Sequence, residues 1–159
     1  MNETDRIAAL EARLARVEDE LAIHRLLATY GPLADAGNAH DAADLWVEEG
    51  VYDPSGAYRA EGRAARETIY TNDAHQALIH RGSMHMTAPV QVTLDGDEAS
   101  AVGYSLLALN NGETFALLRA SINRWTLRRT GEGWRIVERL NQVLDGSAHA
   151  HQLLESVSR

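Results

Sequence analysis

The second half of this 159-residue chain reads as four long strands cut by short, regular turns, and few folds can accommodate that pattern behind a helical first half. The strands run from Met84 to Leu94, Ala99 to Leu109, Thr114 to Arg129 and Trp134 to Leu144. Between them stand Asp95-Gly96-Asp97, Asn110-Asn111-Gly112 and Thr130-Gly131-Glu132-Gly133, the residue types that tight reversals require. Turns this regular imply an antiparallel meander. Helices first and a long-stranded sheet second is the α+β arrangement. Strands of this length twist and curl, so the sheet presents a concave face that helices can close into a pocket.

The first half carries the helical signals. Ile7, Leu10, Leu14, Val17 and Leu21 alternate steps of three and four, a narrow heptad seam flanked by charges. Two heptads are too few for an autonomous coiled coil, so this helix either lies across its own domain or meets another subunit. After Leu21 the apolar set broadens to Ile23, Leu26, Leu27 and Tyr30, as if the helix entered the body of the domain. The pattern predicts that it stops at Tyr30-Gly31-Pro32 and that a second helix, capped by Asn38, runs through Asp44, Leu45, Trp46 and Val47 to Gly50. Val51-Tyr52-Asp53 then forms a short strand ended by Pro54-Ser55-Gly56, with Ala57-Tyr58-Arg59 as its hairpin partner, and Gly62 opens a third helical stretch. These elements make one domain over residues 1–146, with a helical extension over about residues 1–20 and a tail over 147–159. The tail is expected to be a frayed helix or a cover for the pocket.

Composition narrows the partners. Hydrophobic residues make up 45% and charged residues 24%, a globular balance. A formal charge of −8 with no Lys/Arg block argues against nucleic acid and against an anionic membrane surface, which leaves a small molecule as the expected partner. With no cysteine there is neither a disulfide framework nor a thiolate nucleophile. The N-terminus lacks an apolar signal core, and no apolar run approaches the roughly 18 residues of a membrane span. A cytoplasmic protein is the expectation.

Four residues could carry proton-transfer chemistry if the sheet curls over the first helical corner. Tyr30 and Asp35 sit at that corner, where an aspartate could equally be a capping or solvated carboxylate. Period-two alternation sets His85 opposite Met84 and Met86, together with Thr87, although a lone strand histidine is more often a structural hydrogen-bonder. Arg139 shares a face with Val137, Asn141 and Val143, and must reach an edge or an anion because an unpaired buried guanidinium is too costly. In such a set Asp35 would fix the tautomer of His85, whose other nitrogen removes a proton. Tyr30 would donate to a substrate oxygen and Arg139 would stabilise negative charge. Trp46 is most simply core. It is held with Tyr104, Asn123 and Asn141 as a candidate for lining a substrate pocket, though the latter three could equally complete the sheet or face solvent. His149 and His151, with His80, could be read as a metal set, but tail histidines are usually only exposed, and no metal site is expected. Phosphate cradles, nucleophile elbows and dinucleotide fingerprints are absent.

The run from Leu26 through Tyr30, Asp35, Leu45-Trp46 and Gly50-Val51-Tyr52, followed by Gly62, Met84-His85 and the closing strands with Trp134 and Arg139, resembles the SnoaL-like branch of the nuclear transport factor-like superfamily. That branch includes scytalone dehydratase, lindane dehydrochlorinase and the bile-acid dehydratases. The resemblance covers roughly residues 20 to 145 and implies a cystatin-like cone: a curled antiparallel or mixed sheet closed by about three N-terminal helices. It implies that Asp35 and His85 are the acid/base pair, that Tyr30 matches a dehydratase tyrosine and that Arg139 assists the leaving group. The expected activity is a cofactor-independent, dehydratase-type elimination on a lipophilic cyclic molecule such as a steroid, polyketide or aromatic. Isomerisation of the ketosteroid type is the near rival, and a non-catalytic binding or assembly module the more distant one. A homo-oligomer, trimer or dimer, is expected from the relatives and from the two exposed faces.

Overall fold

The computed structural model describes residues 2–54, 56 and 58–157. Helix α1, Glu3–Asp35, opens with a reciprocal cap: Asn2 Oδ1 accepts from the Asp5 amide at 2.9 Å, and the Asn2 amide donates back to the Asp5 carboxylate at 3.1 Å. It does not stop at Tyr30. The helix passes through Pro32, and Gly31 before it has no Cβ to clash with the pyrrolidine ring. Gly31 has another role, for a Cβ placed there would lie 1.9 Å from the carbonyl oxygen of His85. What reads as a helix stop is the point where a strand crosses the helix in contact with its backbone. The turn comes at Gly37, whose φ of 66° is left-handed.

Helix α2, Ala39–Asp44, is capped by Asn38 as expected, but it ends earlier than its pattern suggests. Strand β1 occupies Trp46–Pro54, because long-range pairing with the last strand outweighs local helical preference. Its register slips between Trp46 and Val51, and the buried Arg66 guanidinium gathers carbonyls of that slip, donating to Val47, Glu48 and Gly50. Strand β2 is only Ala60–Glu61, so the expected hairpin partner lies later than proposed; Ala57 itself falls outside the described residues. The third helical stretch is two helices, α3 Arg63–Thr71 and α4 Asp73–Arg81. Asn72 divides them: its amide donates to the Thr68 and Ile69 carbonyls while its oxygen accepts from the His75 amide.

The strands that follow are β3 Ser83–Thr87, β4 Gln91–Asp95, β5 Glu98–Asn110, β6 Phe115–Thr130 and β7 Gly133–Val143. The run from Met84 to Leu94 is thus two strands, both paired to β5 and separated by Ala88-Pro89-Val90. Pro89 has no amide for a ladder, and the kink seats Val90 on Gly103, where a Cβ would stand 2.8 Å from the valine Cγ1. The sheet order is β2-β1-β7-β6-β5-β3, with β4 also on β5; β1 and β7 are parallel and every other pair antiparallel. Register shifts in the β5–β6 and β6–β7 pairs mark the bulges that bend this mixed, unclosed sheet.

One face of the sheet carries the main core. Ile23 and Leu27 of α1 meet Trp125, Leu127 and Ile136, none of them more than 2% exposed. Burying each such side chain stabilises the fold by about 1.5–3 kcal/mol, which is why the helix is held from here on. Part of the opposite face is covered by α5, Ala148–Glu155, whose Leu153 packs on Val102 and Ile122. The tail is therefore an ordered helix lying away from the site face, not a cover for it; Ser158 and Arg159 fall outside the described residues. Before Asp19, α1 stands clear of the domain, and the seam residues Ile7, Leu10, Leu14 and Val17 are all more than half exposed. No helix among the described residues is long and apolar enough to cross a membrane.

Candidate active site

Asp35 is the last residue of α1, so its carboxylate is carried on a rigid element rather than on a loop. The negative end of a helix dipole is a poor place for an acid. Three donors offset this. Ser83 Oγ donates to Oδ1 at 2.6 Å, the His85 amide donates to Oδ2 at 2.7 Å, and His85 Nδ1 lies 2.6 Å from Oδ1. An ionised carboxylate only accepts, so Nδ1 carries the proton and Nε2 is left with its lone pair. His85 lines the cleft in front of Asp35, and its side chain is only 13% exposed. Burial pushes the imidazole below its ordinary value of 6.5, against the opposing pull of Asp35. At neutral pH the ring is a neutral base.

A second histidine stands beside it. His75 of α4 is buried, with its ring 5.6 Å from that of His85, and its Nε2 lies 2.8 Å from the Ala34 carbonyl. Because a carbonyl only accepts, that nitrogen is protonated, and it satisfies one of the terminal carbonyls of α1.

Across the cleft lies Arg139 of β7, only 4% exposed. Its Nε donates to Asn123 Oδ1 at 3.0 Å, and its guanidinium lies over the rings of Tyr30, Tyr52 and Trp125 at 4.5, 5.1 and 5.4 Å. Tyr52 is set there by its register opposite Arg139 in the parallel β1–β7 pair. Burial pushes the Tyr52 phenol up to about 12 and that of Tyr70 well above its usual range, so both are neutral donors at any ordinary pH. The inner recess, bounded by Tyr30, Tyr52, His85, Ser105 and Arg139, has a volume of about 10 Å³, space for one water-sized group. It opens into a cleft of about 240 Å³ walled by Tyr58, Ile69, His75, Leu78, Leu107 and Arg119.

The structure therefore brings Tyr30, His85 and Arg139 to one recess with Asp35 directly behind the imidazole. The other four candidates do not line it. Trp46 is core: Arg66 lies 5.3 Å over its ring, and β1 turns it away from the cleft. Tyr104 is 49% exposed on the opposite sheet face, because β5 alternation directs Ser105 inward instead. Asn123 and Asn141 are buried behind Arg139. Asn141 Nδ2 donates to Asn123 Oδ1 at 2.7 Å, so they orient the guanidinium rather than meet a ligand. Arg139 itself shares its face with Trp134 and Ile136 of the core rather than with Val137, since the β6–β7 bulge passes over Val137. His80, His149 and His151 do not gather into a ligand set. The one such group among the described residues is His40, Asp41 and Asp44, exposed on α2, with Asp44 already paired to Arg63 at 2.6 Å.

Sequence reasoning passed over Ser83, which alternation sets on the face of His85, and Arg119, which alternation sets on the face of Ser121 and Asn123. It also passed over Tyr52, whose place depends on a parallel pairing that no local pattern announces, and His75, whose only local signal is the Asn72 cap before it.

Helices closing one face of a curled, unclosed sheet define the α+β cone as a class of fold, and comparison with known proteins agrees on that class. A model of the SnoaL-like domain matches residues 15–140. The chain belongs to the SnoaL-like family. The crystal structure of an NTF2-like protein with a cystatin-like fold from Novosphingobium aromaticivorans is 46% identical, covers 91% of this chain and 94% of its own, and superposes with a TM-score of 0.88. Aln2 from a Streptomyces species shares the fold at 17% identity, covering 82% and 94%, with a TM-score of 0.72. A protein from Catenulispora acidiphila in complex with S-DNPA does so at 18% identity, covering 82% and 94%, with a TM-score of 0.67. No curated protein matches the chain.

Proposed function

We propose that this protein is a cofactor-independent lyase that eliminates water from a cyclic small molecule. The observation that supports the reading is the 2.6 Å contact between Asp35 and His85 Nδ1, which leaves Nε2 as a base facing the cleft. Nε2 takes a proton from the carbon next to a substrate carbonyl. The electrons of that C–H bond form the new double bond, the neighbouring C–O bond breaks, and the departing hydroxide leaves as water with the proton held on the imidazole. Asp35 stabilises the imidazolium in between. Arg139 and the Tyr52 and Tyr30 hydroxyls stabilise charge on the carbonyl or leaving oxygen within a recess that admits little water. The balance closes without a further reactant. The Catenulispora relative with bound S-DNPA supports a ligand-holding cleft in this fold.

Isomerisation uses the same base and donors and differs only in returning the proton to another carbon. Small cyclic β-hydroxy ketones are the substrates to survey, because dehydration lowers product mass by one water and isomerisation leaves it unchanged. Asp35→Asn and His85→Ala should each reduce turnover by roughly 100-fold or more while ligand affinity is kept. A ligand that binds at the cleft and is never altered, in the parent as in the variants, would mark the protein as a binding module.

A further inference from the structure

Although the chain carries a formal charge of −8, the recess and cleft are lined by two arginines and by no carboxylate, Asp35 standing behind His85 and outside the lining. One of the two arginines is accounted for. Arg139 is held by Asn123 and stacked against three rings, as described above. Arg119 is different. Paired through its backbone with Leu107 and half-buried, it lines both the inner recess and the outer cleft, yet among the described residues its guanidinium has no ion pair and no hydrogen bond. Its charge is felt at His85, Tyr52 and Tyr58. A guanidinium is a rigid fork of donors matched to a carboxylate, and a cleft with low-dielectric walls concentrates its field on whatever enters.

Tyr58, Ile69, Leu78 and Leu107 give the cleft apolar walls suited to a flat ring, while Asn72 and His75 add polar points. At about 240 Å³ the cleft has room for one or two rings, given that a cavity of about 150 Å³ accepts benzene. The geometry points to Arg119 as the residue that selects the ligand, by binding a carboxylate or equivalent oxyanion on a one- or two-ring molecule whose other end reaches His85. This rests on the preceding reading only in taking the same cleft as the ligand site; it requires nothing of the chemistry done there.

Benzoate and its neutral isostere benzamide serve as probes, with calorimetric titration for affinity and the His85 ring signals in NMR for location. Benzoate is expected to shift the His85 signals and to bind roughly 10- to 100-fold more tightly than benzamide, the range set by a charge-assisted pair. Arg119→Gln should bring that ratio close to one, and Arg119→Lys should restore part of it; thermal melts establish that each variant folds. Asp35→Asn, which ends turnover on the lyase reading, should keep the ratio, so loss of chemistry and loss of anion selection are read separately. A ratio near one in the parent protein, a ratio unchanged in Arg119→Gln, or benzoate binding that leaves His85 undisturbed would each overturn the assignment. So would binding of neither probe at tens of millimolar.

Discussion

His85 is asked to be neutral in a protein whose charges pull it both ways. Burial disfavours the imidazolium and Asp35 favours it, and burial prevails. Two consequences follow for pH. Activity should climb as the ring loses its proton, with the acid limb centred below the ordinary histidine value of about 6.5 and a plateau above it. Between the folded and unfolded values the unfolded chain binds more protons, so the contribution of this group to stability is present above about pH 6.5 and is lost as pH falls through the folded value. An NMR titration of the His85 ring should place its midpoint below 6.5, and Asp35→Asn should move it lower still by removing what favours the charge. A midpoint above 7 would contradict both the base and its neutrality.

Helix α1 and strand β3 cross in backbone contact at Gly31, and there the expectation from sequence and the observed fold part ways most usefully. Gly31-Pro32 has the composition of a helix stop, but the glycine is needed for a neighbour 54 positions away, which is invisible to any local pattern. The same is true of Trp46 to Gly50, expected within the second helix and extended in fact because β1 pairs with β7 at Trp46 and again from Val51. What local chemistry controls was legible: the Asn38 cap, the Gly62 opening, the turns of the meander and the face of His85. What depends on parallel pairing was not, and so Tyr52 was missed; Asn123 and Asn141 share the inner face but lie behind Arg139, and the outward turn of Tyr104 and the inward one of Arg119 follow from alternation once the strands are paired. Gly31→Ala tests the crossing directly. With backbone on the other side, neither element can yield cheaply, and the variant should lose roughly 3 kcal/mol in urea denaturation along with most of its turnover. A variant as stable as the parent would mean that the crossing is looser than described.

The protein has two faces that its own chain does not cover. The Ile7–Leu21 seam stands off the domain, exposed by 51, 59, 57, 61 and 46% along its five positions, and is not laid across its own body. The sheet adds Met84, Met86, Phe115 and Leu117, each at least 40% exposed. Apolar surface on this scale favours association. The chain should therefore sediment as a dimer or trimer at micromolar concentration, and Leu10→Lys with Leu14→Lys should shift it toward the monomer if the seam is the contact. A parent protein that sediments as a monomer would refute the expectation.

The crossing at Gly31 has one more implication. Since the backbone of His85 rests on the helix that ends four residues later in Asp35, the two are registered by main chain and do not have to find each other by side-chain motion. Loops and helices at the cleft mouth should therefore tolerate rewriting for new ligands while the proposed acid/base pair stays in register, and redesign of this protein should begin at Tyr58, Ile69 and Leu78.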